Sequence, residues 1–465
     1  MKNKKIIIIS SIVLIIVVAL LLGILYFTTD LFKSNKDLFY KYIGQTQIIN
    51  QDFVQTYLEA YGKTQKSDTA SSMVINFLQK QTNETGINTE NIVEIKSNSL
   101  KSVNKNQAYS DYTIATNNQQ LGTVKFIKDG NLYAIGADNI LVKYIGVENS
   151  NLKSFYTKLG IQETNELPNE FPNVDITKVF DIDFNTLSSL KTKYYNVLYN
   201  NIDKTHFSKI KNQDKTETIS LSLTEQETVT IIQELLKVAK EDTELLNLIV
   251  DKAKTLGYDN INSEAIQNQI QKFIDDISNT TYTNEDNFIV LSLTKRNKIV
   301  EKIGLQVKDK EQVSEENDVL GYKTYKFEMD FSKAQNINII AKVDEVEVSN
   351  IIIKYNYDEN NIILDINAKY NNNNVEAKIQ LNNYKTNNII KNYNIQIVDE
   401  NDKREYDVNI VNNINIKEDI QIEKLTTENF AKLNDMTEEE LSALLTAITN
   451  RIIAVYGEQI SNLGQ

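Results

Sequence analysis

The sequence predicts an α+β protein: an N-terminal transmembrane helix, then two curved antiparallel β-meander sheets with a helical segment between them, and a C-terminal amphipathic helix. Three observations predict this fold class. They are an uncharged apolar run near the N-terminus, two long stretches in which apolar and polar residues alternate, and helical stripes that separate and follow these stretches. Alternation with a period of two is typical of strands with one buried face, whereas a period of 3.6 is typical of amphipathic helices. We therefore expect the helices to cover the apolar faces of the sheets.

The apolar run occupies residues 6–27 and contains no charged side chain. As a helix it would be about 33 Å long, enough for a hydrocarbon core of about 30 Å. Lys2, Lys4 and Lys5 precede the run, so the positive-inside rule places the N-terminus in the cytoplasm. No small-residue cleavage site follows, which favours an uncleaved signal anchor over a signal peptide. On this interpretation the protein is a single-pass protein of the cell membrane, and most of the chain is extracellular, in the cell envelope.

Changes of period along the chain predict its domain organisation. The predicted parts are a cytoplasmic tail at 1–5, the transmembrane signal anchor at 6–27, a juxtamembrane helical segment at 28–90, a first β-rich half with a helical insertion at 91–223, central helices at 224–280, a second β-rich half at 281–425 and a C-terminal helix at 426–465. Within the juxtamembrane segment, residues 68–79 are predicted to be helical because Met73 and Phe77 are four residues apart.

Two capping boxes mark helix starts. Thr224 with Glu227, and Thr437 with Glu440, have the spacing at which a threonine hydroxyl and a glutamate satisfy the first free amides of a helix. In the central helices the apolar stripe predicts that Leu235 and Leu246 are buried. We expect the C-terminal stripe to cover a sheet of the same chain, with a partner helix as the alternative. This stripe consists of Leu441, Leu444, Leu445, Ile448, Ile452 and Tyr456.

Composition excludes several kinds of site. The chain has no cysteine, which excludes disulfides and thiolate metal sites, and its net charge of −13 argues against binding to nucleic acid. His206 is the only histidine, so a zinc site of ordinary composition is excluded and we expect a helix-face histidine. Asp181, Asp183 and Asn185 begin like a calcium-binding loop, but the required glycine and bidentate glutamate are missing. The sequence predicts no catalytic, cofactor-binding or metal-binding residue, and no cofactor.

Several stretches resemble a group of uncharacterised single-pass extracytoplasmic proteins of low-G·C Gram-positive, clostridia-like bacteria. The resemblance implies an extracytoplasmic domain without an assigned activity, and it transfers no site residue. At the level of architecture alone, curved sheets with helices on one face resemble lipid carriers of the LolA/LppX type. The stretches that carry the family resemblance are the lysine-flanked anchor followed by KDLFYKYIGQ (36–45), then DGNLYAIGADNILVKYIGVENSNLKSFYTKLG (129–160), TEQETVTIIQELLKVAKEDTELL (224–246) and LNDMTEEELSALL (433–445).

The sequence supports three hypotheses about function. The first is a membrane-anchored, β-rich binding module for an apolar ligand, such as a lipid, or for a partner protein of the cell envelope. The second is a purely structural scaffold of the envelope, and the third is a carboxylate-dependent hydrolase that uses carboxylates without a cationic partner. A deep apolar cavity between sheet and helices would favour the first hypothesis, a fully filled core the second, and convergent carboxylates with raised pKa values in a cleft the third.

Overall fold

The computed structural model describes residues 34–46, 51–82, 88–150, 152–161, 170–171, 184–256, 258, 261–280, 282, 287–314, 319–370 and 372–463. The helices in this part of the chain are α1 (Asn35–Gln45), α2 (Gln51–Lys66), α3 (Leu152–Lys158), α4 (Phe184–Asn201), α5 (Glu225–Glu241), α6 (Thr243–Thr255), α7 (Ser263–Ser278) and α8 (Glu438–Leu463). The strands are β1 (Thr69–Thr82), β2 (Asn88–Ser102), β3 (Gln107–Thr116), β4 (Gln119–Asp129), β5 (Leu132–Ala137), β6 (Tyr144–Glu148), β7 (Phe207–Lys211), β8 (Glu217–Leu223), β9 (Ile289–Arg296), β10 (Ile299–Ser314), β11 (Val319–Asp330), β12 (Asn336–Val343), β13 (Val346–Tyr357), β14 (Asn361–Tyr370), β15 (Asn373–Asn382), β16 (Asn388–Asp399), β17 (Arg404–Ile416) and β18 (Phe430–Lys432).

The chain divides into two compact units. The first consists of Met1–Val54, Asn173–Lys354 and Ala368–Asn371. The second consists of Gln55–Pro172, Tyr355–Asn367 and Asn372–Gln465.

In the first unit, strands β7 to β13 pair in chain order as an antiparallel ladder. Helix α1 and helices α4 and α5 contribute apolar side chains to one core with β8 and β9. Tyr42 of α1 and Leu293 of β9 are fully buried there. A capping box between Ser34 and Asp37 starts α1, so the sequence fixes where this core helix begins.

In the second unit, β1 is the centre of the ladder. One edge of β1 pairs with β2, and the ladder continues through β3, β4 and β5 to β6. The other edge of β1 pairs with β17, which continues through β16 to β15. These pairs are antiparallel, whereas the short strand β18 is parallel to β6.

The predicted fold class is wrong. The two expected sheets follow one another in the sequence, but the second unit joins strands from the beginning and the end of the chain through the β1–β17 pair. Helix α5, the first of the predicted central helices, shares one core with α4 and the ladder of the first unit. The physical reason is that alternation identifies strands but contains no information about which strands pair.

The predicted signal anchor, the single-pass topology and the cell-membrane location with a cytoplasmic N-terminus are corrected as well. Residues 6–27, on which these predictions depended, lie outside the described residues. Among the helices that the structure does describe, none has the length and apolar character needed to cross a membrane.

The predicted helix at 68–79 is also wrong, because these residues form most of β1. Met73 and Phe77 fit one helical face, but with Ile75 they fit one strand face equally well. Pairing of β1 along both edges, with β2 and with β17, decides between the two patterns. Hydrogen bonds to two neighbouring strands satisfy the backbone as completely as a helix would.

Other predictions that depend on local sequence patterns, namely the capping boxes and the buried helix stripe, are confirmed. The Thr224 hydroxyl accepts from the Glu227 amide, and the Glu227 carboxylate accepts from the Thr224 amide, which confirms the capping box of α5. The equivalent pair of hydrogen bonds joins Thr437 and Glu440 at the start of α8. The predicted burial of Leu235 and Leu246 is confirmed, since their side chains are 8% and 1% exposed.

Candidate functional site

The ladder of the second unit has two faces, because side chains alternate along each strand. The cross-strand register shows which residues share a face. We call one of them the apolar face. Its apolar members are Met73, Ile75 and Phe77 of β1, Val93 and Ile95 of β2, Tyr112 and Ile114 of β3, Val124 and Phe126 of β4, Ile135 of β5, Ile145 and Val147 of β6, Tyr393 and Ile395 of β16, and Val408 and Ile410 of β17.

Strands β3 to β6 are covered on the face opposite to the apolar face. Ile127 and Ala134 point to that side and form a small core with Leu425, and Phe430 packs against it. The Leu425 amide also donates a hydrogen bond to the Asp129 carboxylate at 3.1 Å. This part of the ladder is therefore buried from one side by the segment that leads to β18.

The apolar face of the same four strands is only partly covered. Phe126 is 46% exposed and Ile135 is 42% exposed, although they are large apolar residues on adjacent strands. They line a cavity of about 350 Å³ whose wall also includes Lys128, Tyr133 and Leu433. This volume lies at the small end of the range of about 300–1,000 Å³ that is typical of small-molecule sites.

Aromatic rings border the cavity. The ring of Phe126 meets that of Tyr112 edge-on, with centroids 5.8 Å apart. The ring of Tyr133 meets that of Phe171 in the same manner at 5.7 Å. Phe171 is in turn held by Asn149, whose side chain donates to the Phe171 carbonyl and accepts from its amide. Edge-to-face contacts fix these rings, so the border of the cavity is preorganised.

Gly146 explains how β5 and β6 can approach each other so closely beside the cavity. A Cβ atom at this position would collide with the backbone carbonyl of Tyr133 and with the Cα of Ala134. Only glycine is compatible with this contact, because backbone atoms cannot move aside as a flexible side chain can. A glycine within a run of strand-forming residues, as at Gly146, is the one signal in the sequence that could have indicated this close approach of two strands.

The C-terminal helix α8 contacts the same face. The Tyr456 hydroxyl lies against Gly122 of β4, in the space that a side chain would fill, and Arg451 donates to the Ile140 carbonyl at 3.1 Å. Leu441 is buried, as the stripe predicts, but Leu445 of the same stripe is exposed. The stripe therefore covers its own sheet only in part.

The residues that the sequence singled out elsewhere do not converge on this cavity. His206 lies in the first unit with its Nε2 atom 3.5 Å from a carboxylate oxygen of Glu227, at the start of α5. It follows α4 in a short 3₁₀ turn, so the expected helix-face position is wrong. Asp181 and Asp183 lie outside the described residues.

A second depression of about 270 Å³ lies on the polar face of the first unit, between β9 and β12. Two of its charged groups are paired: Glu328 with Lys302 at 3.1 Å, and Lys326 with Glu345; Lys302 also contacts Asp330 at 3.1 Å. Burial alone would raise the pKa of Asp330, but the hydrogen bonds that its carboxylate accepts from Ser332 and Lys302 outweigh this effect, so the pKa is lowered. Glu328 and Lys326 of this depression are therefore already engaged in ion pairs.

Comparisons with known proteins do not identify the chain. No family model and no curated protein matches it. Among solved structures, it aligns with the translocator domain of autotransporter NalP from Neisseria meningitidis at 6% identity and a TM-score of 0.19, covering 78% of this chain and 97% of that one. A Rhodopseudomonas blastica porin mutant aligns at 4% identity and a TM-score of 0.17, covering 74% of this chain and 99% of that one. The CymD monoaromatic hydrocarbon channel aligns at 8% identity and a TM-score of 0.16, covering 80% of this chain and 95% of that one. Scores this low establish neither a fold nor a function for this chain.

Proposed function

We propose that this protein is a β-rich binding module that holds a small apolar molecule in the cavity of the second unit, against Phe126 and Ile135. The exposure of these two side chains carries the proposal. Burying a large apolar side chain is worth about 1.5–3 kcal/mol, so a chain that leaves two neighbouring ones half exposed beside a cavity forgoes a considerable stabilisation. A ligand that covers them would recover it.

The size of the cavity favours a small molecule over a partner protein as the occupant. A stable protein interface buries about 800 Å² on each partner, whereas this cavity is at the lower limit for a small ligand. The ring of Tyr133 lines the cavity and is held by its edge-on contact with Phe171. Binding would require little rearrangement, because the opposite face of the strands is already packed.

The two other hypotheses have less support. A structural scaffold is favoured by a filled core, which the open face of β4 and β5 does not provide. A carboxylate hydrolase is favoured by raised carboxyl pKa values. Among the described residues, each carboxyl group whose pKa departs clearly from its ordinary value is lowered, as at Glu217 beside Lys295 and at Asp358 beside Asn360.

Phe126→Ser combined with Ile135→Ser is expected to abolish binding of an apolar fluorescent dye to the cavity. The double substitution removes the apolar floor while the packed opposite face keeps the strands in place. The measurement is a dye titration on the full chain, with displacement by dodecan-1-ol and circular dichroism to confirm folding.

Val411→Ser is the matched control. Val411 is 41% exposed on β17 and lies on the opposite face of the same ladder, since it pairs with Val74 and Asn392. Its replacement should leave dye binding unchanged. Equal binding by the folded double variant and the wild type would contradict the proposed site.

A further inference from the structure

The acidic side chains of strands β3 to β6 all point away from the cavity. The register places Asp111, Asp129 and Glu148 on the covered face of these strands. Asp129 accepts hydrogen bonds from the Gln107 side chain at 2.7 Å and from the Leu425 amide, and Glu148 pairs with Lys432 at 3.0 Å. These carboxylates are therefore engaged on the side that the β18 segment covers.

The cavity side carries one cation and no acid from these strands. Lys128 of β4 shares this face with Phe126, and its cross-strand neighbours are Ala108 and Tyr133. Its Nζ atom lies 5.6 Å from the centroid of the Tyr133 ring, and no carboxylate among the described residues pairs with it. The other lysine of β4, Lys125, lies on the covered face and is paired with Asp138 at 2.7 Å. In a chain of net charge −13, this separation of charge creates a local preference for an anion.

We propose that the occupant of the cavity is an amphipathic molecule with a single anionic head group, such as an acyl or aryl carboxylate, and that Lys128 selects the head group. This inference rests on the proposed function. The apolar part of the ligand contacts Phe126 and Ile135, and its carboxylate accepts a hydrogen bond from the Lys128 ammonium at the edge of the cavity. An ammonium that has no carboxylate partner among the described residues gains a charge-assisted hydrogen bond in the complex.

The test compares three probes of equal chain length on the full-length protein: dodecanoate, dodecan-1-ol and dodecyltrimethylammonium. We expect dodecanoate to bind most tightly and the cationic probe most weakly. Lys128→Gln should weaken dodecanoate binding by about tenfold or more and leave dodecan-1-ol binding unchanged, because only the charge-assisted contact is lost. Lys128→Arg should retain most of the affinity for dodecanoate, and the preference for the anion should decrease as salt is added.

Lys125→Gln is the matched control, since it removes the same charge from the same strand on the covered face. It should not change the ratio of dodecanoate to dodecan-1-ol affinity. Equal affinities for dodecanoate and dodecan-1-ol, unaffected by Lys128→Gln, would overturn the role of Lys128 while leaving the proposed apolar site intact. Failure of all three probes to bind the folded wild type would overturn both proposals.

Discussion

Tyr42→Ala is expected to lower the free energy of unfolding of the first unit by about 3–5 kcal/mol, the loss typical of removing a large buried aromatic side chain. Tyr42 has 0% exposure in the core that α1 forms with β8 and β9. The Nζ atom of Lys295 lies 4.8 Å from the centroid of its ring, and this lysine is itself nearly buried and paired with Glu217 at 2.7 Å. The substitution therefore creates a cavity and also removes a cation–π contact from a desolvated charge.

Chemical denaturation followed by circular dichroism measures this loss. Tyr370→Ala is the control, because Tyr370 is 58% exposed at the end of β14 and its truncation should change stability by no more than about 0.5 kcal/mol. A loss below about 1 kcal/mol for Tyr42→Ala would mean that α1 is not an integral part of this core.

The second large effect concerns two lysines of α4, whose replacement should change the stability of the first unit in opposite directions. Lys191 is buried, and its ammonium has no hydrogen-bond partner among the described residues. Burial lowers the pKa of Lys191 to about 8. Lys193 instead pairs at 2.8 Å with Asp242, whose side chain is buried at the start of α6. Burial opposes ionisation of Asp242, but hydrogen bonds from Lys193 and the Leu245 amide outweigh it, so its pKa is lowered.

Lys191→Met should therefore stabilise the first unit at neutral pH, because it removes an unpaired buried charge and keeps the apolar part of the side chain. The folded pKa lies below the ordinary value of 10.5. Below about pH 8 both the folded and the unfolded chain hold the proton, and the full penalty of the charge is present. Between these two values the folded chain loses its proton first, so wild-type stability rises relative to the variant and the advantage of methionine shrinks.

Lys193→Met should destabilise the same unit by about 2–3 kcal/mol near neutral pH, because it leaves the Asp242 carboxylate buried without its cationic partner. Urea denaturation of both variants at pH values from about 7 to 10 measures the two effects. Destabilisation by Lys191→Met at neutral pH, or an advantage that does not change with pH, would show that Lys191 is not an unpaired buried cation.

How far the sequence predicts this structure depends on the range of the interactions. Capping boxes such as Thr224 with Glu227 are local, so spacing alone identifies them. The assignment of β1 failed because Met73, Ile75 and Phe77 satisfy both a helical and a strand pattern until the partner strands are known. The β1–β17 pair joins residues more than three hundred positions apart, and no local pattern specifies it.

The candidate site was not predictable for the same reason. Phe126 and Ile135 look like ordinary core residues of two alternating strands, and alternation does place Lys128 on their face. Which face is open, however, is decided by Leu425, which covers the other side from a distant part of the chain. A sequence pattern therefore shows that a strand has an apolar face, but not whether the protein itself covers that face.

The most direct test of a ligand in the second unit is native mass spectrometry of the full chain purified from the organism that makes it, with extraction of bound small molecules. Our account predicts a bound amphipathic anion that is present in the wild type and in the Val411→Ser control, and absent after Phe126→Ser with Ile135→Ser. A folded wild-type protein that carries no small molecule and takes up none of the dodecyl probes would contradict it.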